Sequence, residues 1–158
     1  MPLVLERIRQ AVRRNRKEKL TALYHHVYAV LHLRAAYHQL QRQAAAGVDG
    51  ETWQTYGQGL EARLTALSER LRRGEYRALP VRRVYIPKPD GRQRPLGIPA
   101  LEDKIVQSVT AQICTVIWEE EILGFSYGFR PGRNPHNALD ALTVGIEGKR
   151  VSWVLDGC

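Results

Sequence analysis

Residues 82–99, RRVYIPKPDGRQRPLGIP, are the most informative segment of this 158-residue chain. Apolar and polar side chains alternate with a period of two over residues 81–88, which predicts an extended strand. Pro89-Asp90-Gly91 has the composition of a tight turn, and residues 92–99 can return as the partner strand. The arms and tip carry five cations: Arg82, Arg83, Lys88, Arg92 and Arg94. The sequence therefore predicts a basic β-hairpin.

A hairpin with this charge is suited to bind a polyanion. A triphosphate carries several negative charges, and cations on a rigid ribbon bind it better than cations on a loose loop. Lys88 and Arg94 lie on either side of the turn, so they can face one another and contact the same ligand. The spacing alone leaves an alternative open, a surface hairpin that its charges keep soluble.

Helical periodicity flanks the hairpin on both sides. Leu60, Leu64, Leu67 and Leu71 recur at helical steps, and Gly74 stands where a helix C′ residue is expected. Helices are predicted over residues 2–43 in two pieces, 60–71, 101–120 and 138–146. The apolar stripes comprise Leu5, Ile8 and Val12; Leu23, Val27, Val30, Leu31, Ala35 and Leu40; and Ile105, Val106, Val109, Ile113, Ile117 and Trp118. Loops are predicted over 44–50 and 124–135 and a short buried strand over 151–155, which gives an α+β fold.

The charge distribution also favours a polyanionic partner. The formal net charge is +8, and the basic residues are clustered. Residues 1–20 hold seven basic and two acidic residues, and residues 72–94 hold eight basic and two acidic residues. Clustering of this kind favours nucleic acid over simple solubility, because phosphate neutralisation releases counterions whatever the base sequence.

Several classes of protein are disfavoured by the sequence. No apolar run approaches a bilayer-spanning length, and the basic N-terminus lacks the features of a secretory signal. Cys114 and Cys158 form neither a disulfide framework nor a metal-binding pair, so a reducing, cytoplasmic setting is expected. His25, His32 and His38 do not share one helical face at ligand spacing, and no metal site is predicted. The acidic run at 119–121 is interpreted as a solvated helix end.

The second candidate site is Ser126-Tyr127-Gly128-Phe129-Arg130-Pro131-Gly132-Arg133. Glycines that allow close backbone approach, together with aromatic and basic side chains, suit a nucleic-acid strand. The alternative is a tight loop whose aromatic side chains fill the core, and this is the expectation for Phe129.

Five segments in order resemble the group II intron reverse transcriptase/maturase family, from about Leu20 onward. They are Ala46-Gly47-Val48-Asp49-Gly50 with Thr52, Arg83 to Gly91, Arg94 to Pro99, Asp103 to Gln107, and Ser126 to Arg133. The resemblance implies the fingers and the start of the palm of a right-hand polymerase. It divides the chain into an N-terminal helical extension (1–45), a fingers region with the basic hairpin (46–135) and the start of the palm (136–158).

The resemblance also implies roles for individual residues. Lys88 and Arg94 would contact the triphosphate of the incoming dNTP. Template or intron RNA would be bound by Arg13, Arg14, Lys17, Gly47, Asp49, Gly50, Arg82, Arg83, Arg92, Tyr127, Arg130 and Arg133. Complete members of the family also bind a DNA primer and use two Mg²⁺ ions held by palm aspartates.

The C-terminal residues depart from the family pattern. In the register of the resemblance, the first metal-binding aspartate falls at Cys158, and Asp156 stands two residues too early. The second aspartate motif is absent from the 158 residues, so no Mg²⁺ and no polymerase activity are expected of this chain alone. The expectation is an enzyme fragment; the alternative is a stand-alone, non-catalytic RNA-binding module. The apolar run 151–155 favours the fragment, because a stand-alone module would cap or lose such an edge.

Overall fold

A computed structural model describes residues 2–14, 21–148, 151, 153 and 155. The helices are α1 (Pro2–Arg14), α2 (Tyr24–Tyr28), α3 (Val30–Gln39), α4 (Trp53–Gly57), α5 (Leu60–Arg72), α6 (Leu101–Glu121) and α7 (Pro135–Gly148). The strands are β1 (Arg82–Pro87) and β2 (Gln93–Ile98), which pair antiparallel. The α+β class and the hairpin are thus confirmed. The chain divides into two compact units, Met1–Ile117 and Trp118–Cys158.

The core of the first unit is formed by helices α1, α3, α4, α5 and α6. The leucine spacing of α5 is confirmed, since Leu64, Leu67 and Leu71 are buried and Leu60 packs against them. The N–H groups of Gly74 and Glu75 donate to carbonyl groups in the last turn of α5, at 3.0 and 2.9 Å. From the other helices, the core includes Ile8, Val12, Leu33, Ala36, Tyr37, Tyr56, Ile105, Val109, Ile113 and Val116.

The region before residue 43 forms three helices, α1, α2 and α3, where two helical pieces are predicted. Ala29 has an extended backbone (φ −63°, ψ 119°) and separates α2 from α3. An extended residue resets the phase of the helical repeat, so the predicted stripe is only partly confirmed beyond it: Val30 and Leu40 pack against the core, but Leu31 does not. Leu31 is 62% exposed, whereas Leu33 is completely buried. Buried His32 contacts the carbonyl oxygen of His26 through Nδ1 at 2.8 Å, across this break.

Helix α4 was not predicted, although its N-terminus has a recognisable cap. Thr52 Oγ1 accepts the N–H of Thr55 at 3.2 Å, and Thr55 Oγ1 accepts the N–H of Thr52 at 2.9 Å. This is a capping box with threonine in place of the usual Glu or Gln. The helix places Trp53 against Tyr37: the rings stack 4.7 Å apart, and each side chain donates to the carbonyl of the other residue.

The second unit contains the Ser126–Arg133 loop and α7. The prediction of a helix over 138–146 is confirmed, but none of the side chains of α7 is buried. Trp118 is 61% exposed, so its assignment to the buried stripe is wrong. The predicted strand over 151–155 falls partly outside the described residues, and Val151, Trp153 and Leu155 are not in a strand. A strand needs a pairing partner, and in the described part of the chain β1 and β2 pair only with each other.

Candidate nucleic-acid interface

The register of the hairpin divides its side chains between two faces. Directly opposed residues of an antiparallel pair share a face, and successive residues along a strand alternate between faces. One face, here called the Arg94 face, comprises Arg82, Val84 and Ile86 opposite Ile98, Leu96 and Arg94. The other, here called the Tyr85 face, comprises Arg83, Tyr85 and Pro87 opposite Gly97, Pro95 and Gln93.

The turn places Lys88 and Arg94 on the same face. The N–H of Gly91 donates to the carbonyl of Lys88 at 3.0 Å, and the N–H of Lys88 donates to the carbonyl of Arg92 at 2.8 Å. Gly91 has φ +79°, the left-handed conformation that a three-residue hairpin loop requires. Because Lys88 still pairs across the ribbon, alternation puts it on the Arg94 face. Diagonal neighbours there are about 7–8 Å apart, close enough to contact one ligand.

Four of the five hairpin cations are available to a ligand. Arg82, Arg83, Lys88 and Arg94 are exposed and have no hydrogen-bonding or ionic partner among the described residues. Arg92 differs, because its Nε and Nη2 both donate to Asp90 Oδ2, at 2.9 and 2.7 Å. These hydrogen bonds lower the pKa of the Asp90 carboxyl. Arg92 therefore stabilises the turn and neutralises its one acid.

A buried carboxylate holds the segment that leads into the hairpin. Asp103, in the first turn of α6, is 4% exposed. It accepts hydrogen bonds from the hydroxyl of Tyr76 and, at 3.2 Å, from the N–H of Leu79. Burial, followed by the hydrogen bond to Asp103, raises the pKa of Tyr76, so the phenol stays protonated as a donor. Asp103 thus fixes the chain just before β1.

The neighbouring carboxylate, Glu102, joins three helices. It accepts from the hydroxyl of Tyr56 in α4 at 3.1 Å and from Arg70 Nη2 in α5 at 2.6 Å. Acidic groups in the first turn of a helix also interact favourably with its dipole. The first turn of α6 is consequently the rigid support from which the hairpin projects.

The glycine-containing loop packs beside the exit of the hairpin. Gly47 is buried, and a Cβ atom there would lie 2.6 Å from Ala100 Cα and 2.8 Å from the carbonyl oxygen of Pro99. Lys104 Nζ donates to the carbonyl of Ala45 at 2.7 Å, which ties the same loop to α6. The lack of a side chain at Gly47 therefore allows the backbone of this loop to pack closely against Pro99 and Ala100.

The other two predicted residues of this loop, Asp49 and Gly50, are exposed. Asp49 Oδ1 accepts the N–H of Glu51 at 3.2 Å, which holds the loop in its turn. Both residues are thus on the surface near the base of the hairpin, where a nucleic-acid strand can reach them.

In the second unit, Arg130 organises the Ser126–Arg133 loop. Its side chain is 8% exposed; it makes an ion pair with Glu119 at 2.9 Å and donates to the carbonyl groups of Leu123 and Ser126 at 3.0 and 2.9 Å. The hydrogen bond from Arg130 lowers the pKa of Glu119. Glu119 is therefore a structural partner, which corrects its interpretation as part of a solvated helix end.

The two aromatic residues of this loop differ in exposure, since Phe129 is exposed and Tyr127 is half-buried. Phe129 is fully exposed with φ +58°, so its expected position in the core is wrong. The reason is that Arg130, with hydrogen bonds to Glu119, Leu123 and Ser126, occupies the interior of the loop instead. Arg133 lies over the ring of Tyr127, 5.2 Å from its centroid. Together with Gly128, Asn134 and Ala138, they line an open cavity of about 380 Å³.

The N-terminal basic residues are only partly described. Arg13 and Arg14 form the last turn of α1 and are exposed, and Lys17 lies outside the described residues. Ile8 and Val12 anchor this helix in the core of the first unit, which confirms its thin apolar stripe.

Comparison with known proteins places the chain in a family. No protein-family model matches it. It is 33% identical over 155 residues, 98% of its length, to the group II intron-encoded protein LtrA of Lactococcus lactis. It is 42% identical over 114 residues, 70% of its length, to protein YkfC of Escherichia coli. The chain belongs to the group II intron-type reverse transcriptase/maturase family.

The match covers a limited part of each relative. The aligned residues make up 26% of LtrA and 30% of YkfC, so the chain spans less than a third of these proteins. A putative COX1/OXI3 intron 1 protein of Saccharomyces cerevisiae is 33% identical over 107 residues, 68% of this chain and 13% of that protein.

The family motifs have visible structural roles in this chain. Gly47 packs on Ala100, Asp103 anchors Leu79, and Lys104 binds Ala45, so three of the ordered segments meet at the base of the hairpin. The sequence reasoning missed these contacts because Asp103 and its partners are 24 and 27 residues apart. No local pattern signals a pairing at that separation.

Two findings bear on metal and membrane binding. Among residues 2–14, 21–148, 151, 153 and 155, there is no group of three or more His, Cys, Asp or Glu side chains that could hold a metal ion. Over the same residues, no helix is both long and apolar enough to cross a membrane.

Proposed function

We propose that these residues form the nucleic-acid- and nucleotide-binding fingers of a group II intron-type reverse transcriptase. The observation that carries the proposal is the hairpin, an arm exposed on both faces with four unpaired cations among the described residues. In this proposal Lys88 and Arg94 bind the triphosphate of a dNTP, while Arg82 and Arg83 bind template or intron RNA. The DNA primer is bound only by the complete enzyme.

The geometry narrows the set of residues that would contact nucleic acid. Gly47, Arg92 and Arg130 have packing or ion-pairing roles within the chain. The proposed contacts are Arg82, Arg83, Asp49, Gly50, Tyr127 and Arg133, with Arg13, Arg14 and Lys17 near the N-terminus. Exposed cations and aromatic rings are the side chains that bind phosphates and stack on bases.

The proposal does not assign polymerase chemistry to these residues. The two Mg²⁺ ions that the family resemblance implies have no suitable cluster of ligands among the described residues. Residues 1–158 would bind and position substrates, and two-metal catalysis would belong to the aspartates of a complete enzyme.

Replacing Lys88 and Arg94 with alanine tests the nucleotide assignment. Each charge-assisted contact to a phosphate contributes enough that its loss weakens binding about tenfold. We expect each single variant to reduce the affinity for a fluorescent dNTP analogue by that factor and to change RNA affinity much less. Titration of the purified chain, followed by fluorescence anisotropy, measures both.

Arg77→Ala is the matched control for charge. Arg77 lies just outside β1 and donates to the carbonyl groups of Gly74 and Tyr76, so its loss removes one charge but no hairpin cation. If the Lys88 and Arg94 variants abolish RNA affinity and leave dNTP affinity unchanged, the Arg94 face binds RNA and the triphosphate assignment is wrong.

A further inference from the structure

Three histidines meet where α2 ends and α3 begins. Between ring centroids, His25 and His26 lie 3.7 Å apart, and His26 and His32 lie 5.7 Å apart. His32 is buried, and its Nδ1 lies 2.8 Å from the carbonyl oxygen of His26. Because a carbonyl oxygen only accepts, Nδ1 carries the proton of this hydrogen bond. The three residues, here called the histidine cluster, thus bridge the extended residue Ala29.

The histidine cluster adjoins the hydrogen bonds that fasten α2 to α5. The hydroxyl of Tyr24 donates to the carbonyl of Leu71 at 2.6 Å, and the hydroxyl of Ser68 donates to the carbonyl of Tyr28 at 2.5 Å. They involve the first and the last residue of α2. A helix of five residues has little stability of its own. The position of α2 therefore depends on these two hydrogen bonds and on the packing of its apolar side chains against the core.

The acids and arginines of the neighbouring helices α3 and α5 are paired away from the histidine cluster. The ion pairs join Glu61 with Arg34, Arg63 with Glu51, Glu69 with Arg72 and Arg73, and Arg70 with Glu102. The other titratable groups nearby are Tyr24 and Tyr28 of α2, Tyr37 and His38 of α3 and, where α6 borders α2, Cys114. Among the described residues, the electrostatic neighbours of His26 are the two other histidines.

The surroundings of His26 favour its neutral form. Burial, followed by the proximity of the His25 and His32 imidazoles, lowers the pKa of His26. In the unfolded chain a histidine binds its proton near about pH 6.5, whereas the folded chain resists that proton. The free energy of unfolding therefore keeps its full value above about pH 6.5. It decreases as the pH falls below that value, until the lowered pKa of the folded state is passed.

We propose that the histidine cluster is an acid-sensitive latch, which holds α2 on α5 at neutral pH and releases α2 on acidification. When more than one ring is protonated, like charges lie 3.7 or 5.7 Å apart, and no acid of α3 or α5 offsets them. Separation of α2 from α3 at Ala29 relieves the repulsion and returns the half-buried His26 to water. Neither ligand proposed for the hairpin is involved.

Urea denaturation of the whole chain at about pH 7.5 and about pH 5.5 tests the latch, because histidines are the side chains that titrate in this range. We expect the urea midpoint to fall by roughly 0.5 M at the lower pH. His26→Gln should lose most of this fall, since it replaces the central imidazole with a neutral group, and His25→Gln should lose part of it. His38 and His136 are exposed and serve as controls, so their glutamine variants should keep the full fall.

Hydrogen exchange locates the acid-induced change. The amides of His32 and Leu33 donate to the carbonyl of Ala29 at 2.9 and 3.1 Å. Relative to the intrinsic exchange rate at each pH, they should lose protection about tenfold on acidification, while the amides of α6 keep theirs.

Three results would overturn the inference. They are an equal urea midpoint at both pH values, a fall in His26→Gln as large as in the unmodified chain, and a loss of protection that extends equally over α6. If His26→Gln does not fold at neutral pH, His25→Gln decides, because the His25 side chain is exposed. An undiminished fall in that variant would then contradict the latch.

Discussion

Asp103→Ala is expected to lower the free energy of unfolding by about 3 kcal/mol, because a buried network loses its central acceptor. Asp103 is 4% exposed and accepts from both Tyr76 and Leu79. Alanine leaves the Leu79 N–H and the Tyr76 hydroxyl without their acceptor, and this segment leads directly into β1. Urea denaturation of the purified chain gives the loss of stability, and amide exchange at Leu79 shows whether the loss is local.

Two further variants separate the contributions of the hydrogen bonds that Asp103 accepts. Tyr76→Phe removes one hydrogen bond and keeps the ring, so we expect a loss of about 1 kcal/mol. Asp103→Asn retains an acceptor oxygen and should fall between the other two variants. If Asp103→Ala unfolds at the same urea concentration as the unmodified chain, the first turn of α6 does not support the hairpin.

Removing the two hairpin cations assigned to RNA, Arg82 and Arg83, is expected to reduce the salt dependence of RNA binding. For single strands, the slope of log affinity against log salt is about −0.7 per phosphate neutralised. Two contacts by Arg82 and Arg83 would therefore account for an affinity loss of about sevenfold between about 50 and about 200 mM salt. The double glutamine variant should lose that part of the dependence, as measured by anisotropy at four salt concentrations.

The control variant loses the same number of positive charges, but from residues outside the hairpin. A variant with glutamine at Arg73 and Arg77 has the same net charge as the hairpin variant. Its salt slope should stay closer to that of the unmodified chain, because its hairpin is intact. Equal slopes for the two variants would show that RNA responds to net charge and not to the hairpin.

The hairpin could be predicted from sequence because its determinants are local. Alternation over 81–88, the Asp90-Gly91 turn and the returning strand all lie within a few residues of one another. The leucine spacing that predicts α5 is also a pattern between residues close together in the sequence. These short-range patterns placed the elements with their bounds correct to within a residue or two.

The contacts that organise the two candidate sites could not be predicted in this way. Glu119 belongs to an acidic run that was interpreted as a solvated helix end, and no local pattern marks Asp103 as buried. Their partners are distant in sequence or lie in an irregular loop. The error at Phe129 has the same origin, since the interior of that loop is occupied by Arg130. The buried face of α3 was only partly predicted, because one extended residue, Ala29, shifts the helical phase.

Crosslinking tests the central claim, that the hairpin contacts RNA, most directly. A single-stranded RNA containing 4-thiouridine is bound to the whole chain, irradiated and digested, and the crosslinked peptides are identified by mass spectrometry. The account predicts crosslinks within residues 81–98, and their loss at high salt. Crosslinks confined to other parts of the chain, with peptides from 81–98 recovered unmodified, would contradict it.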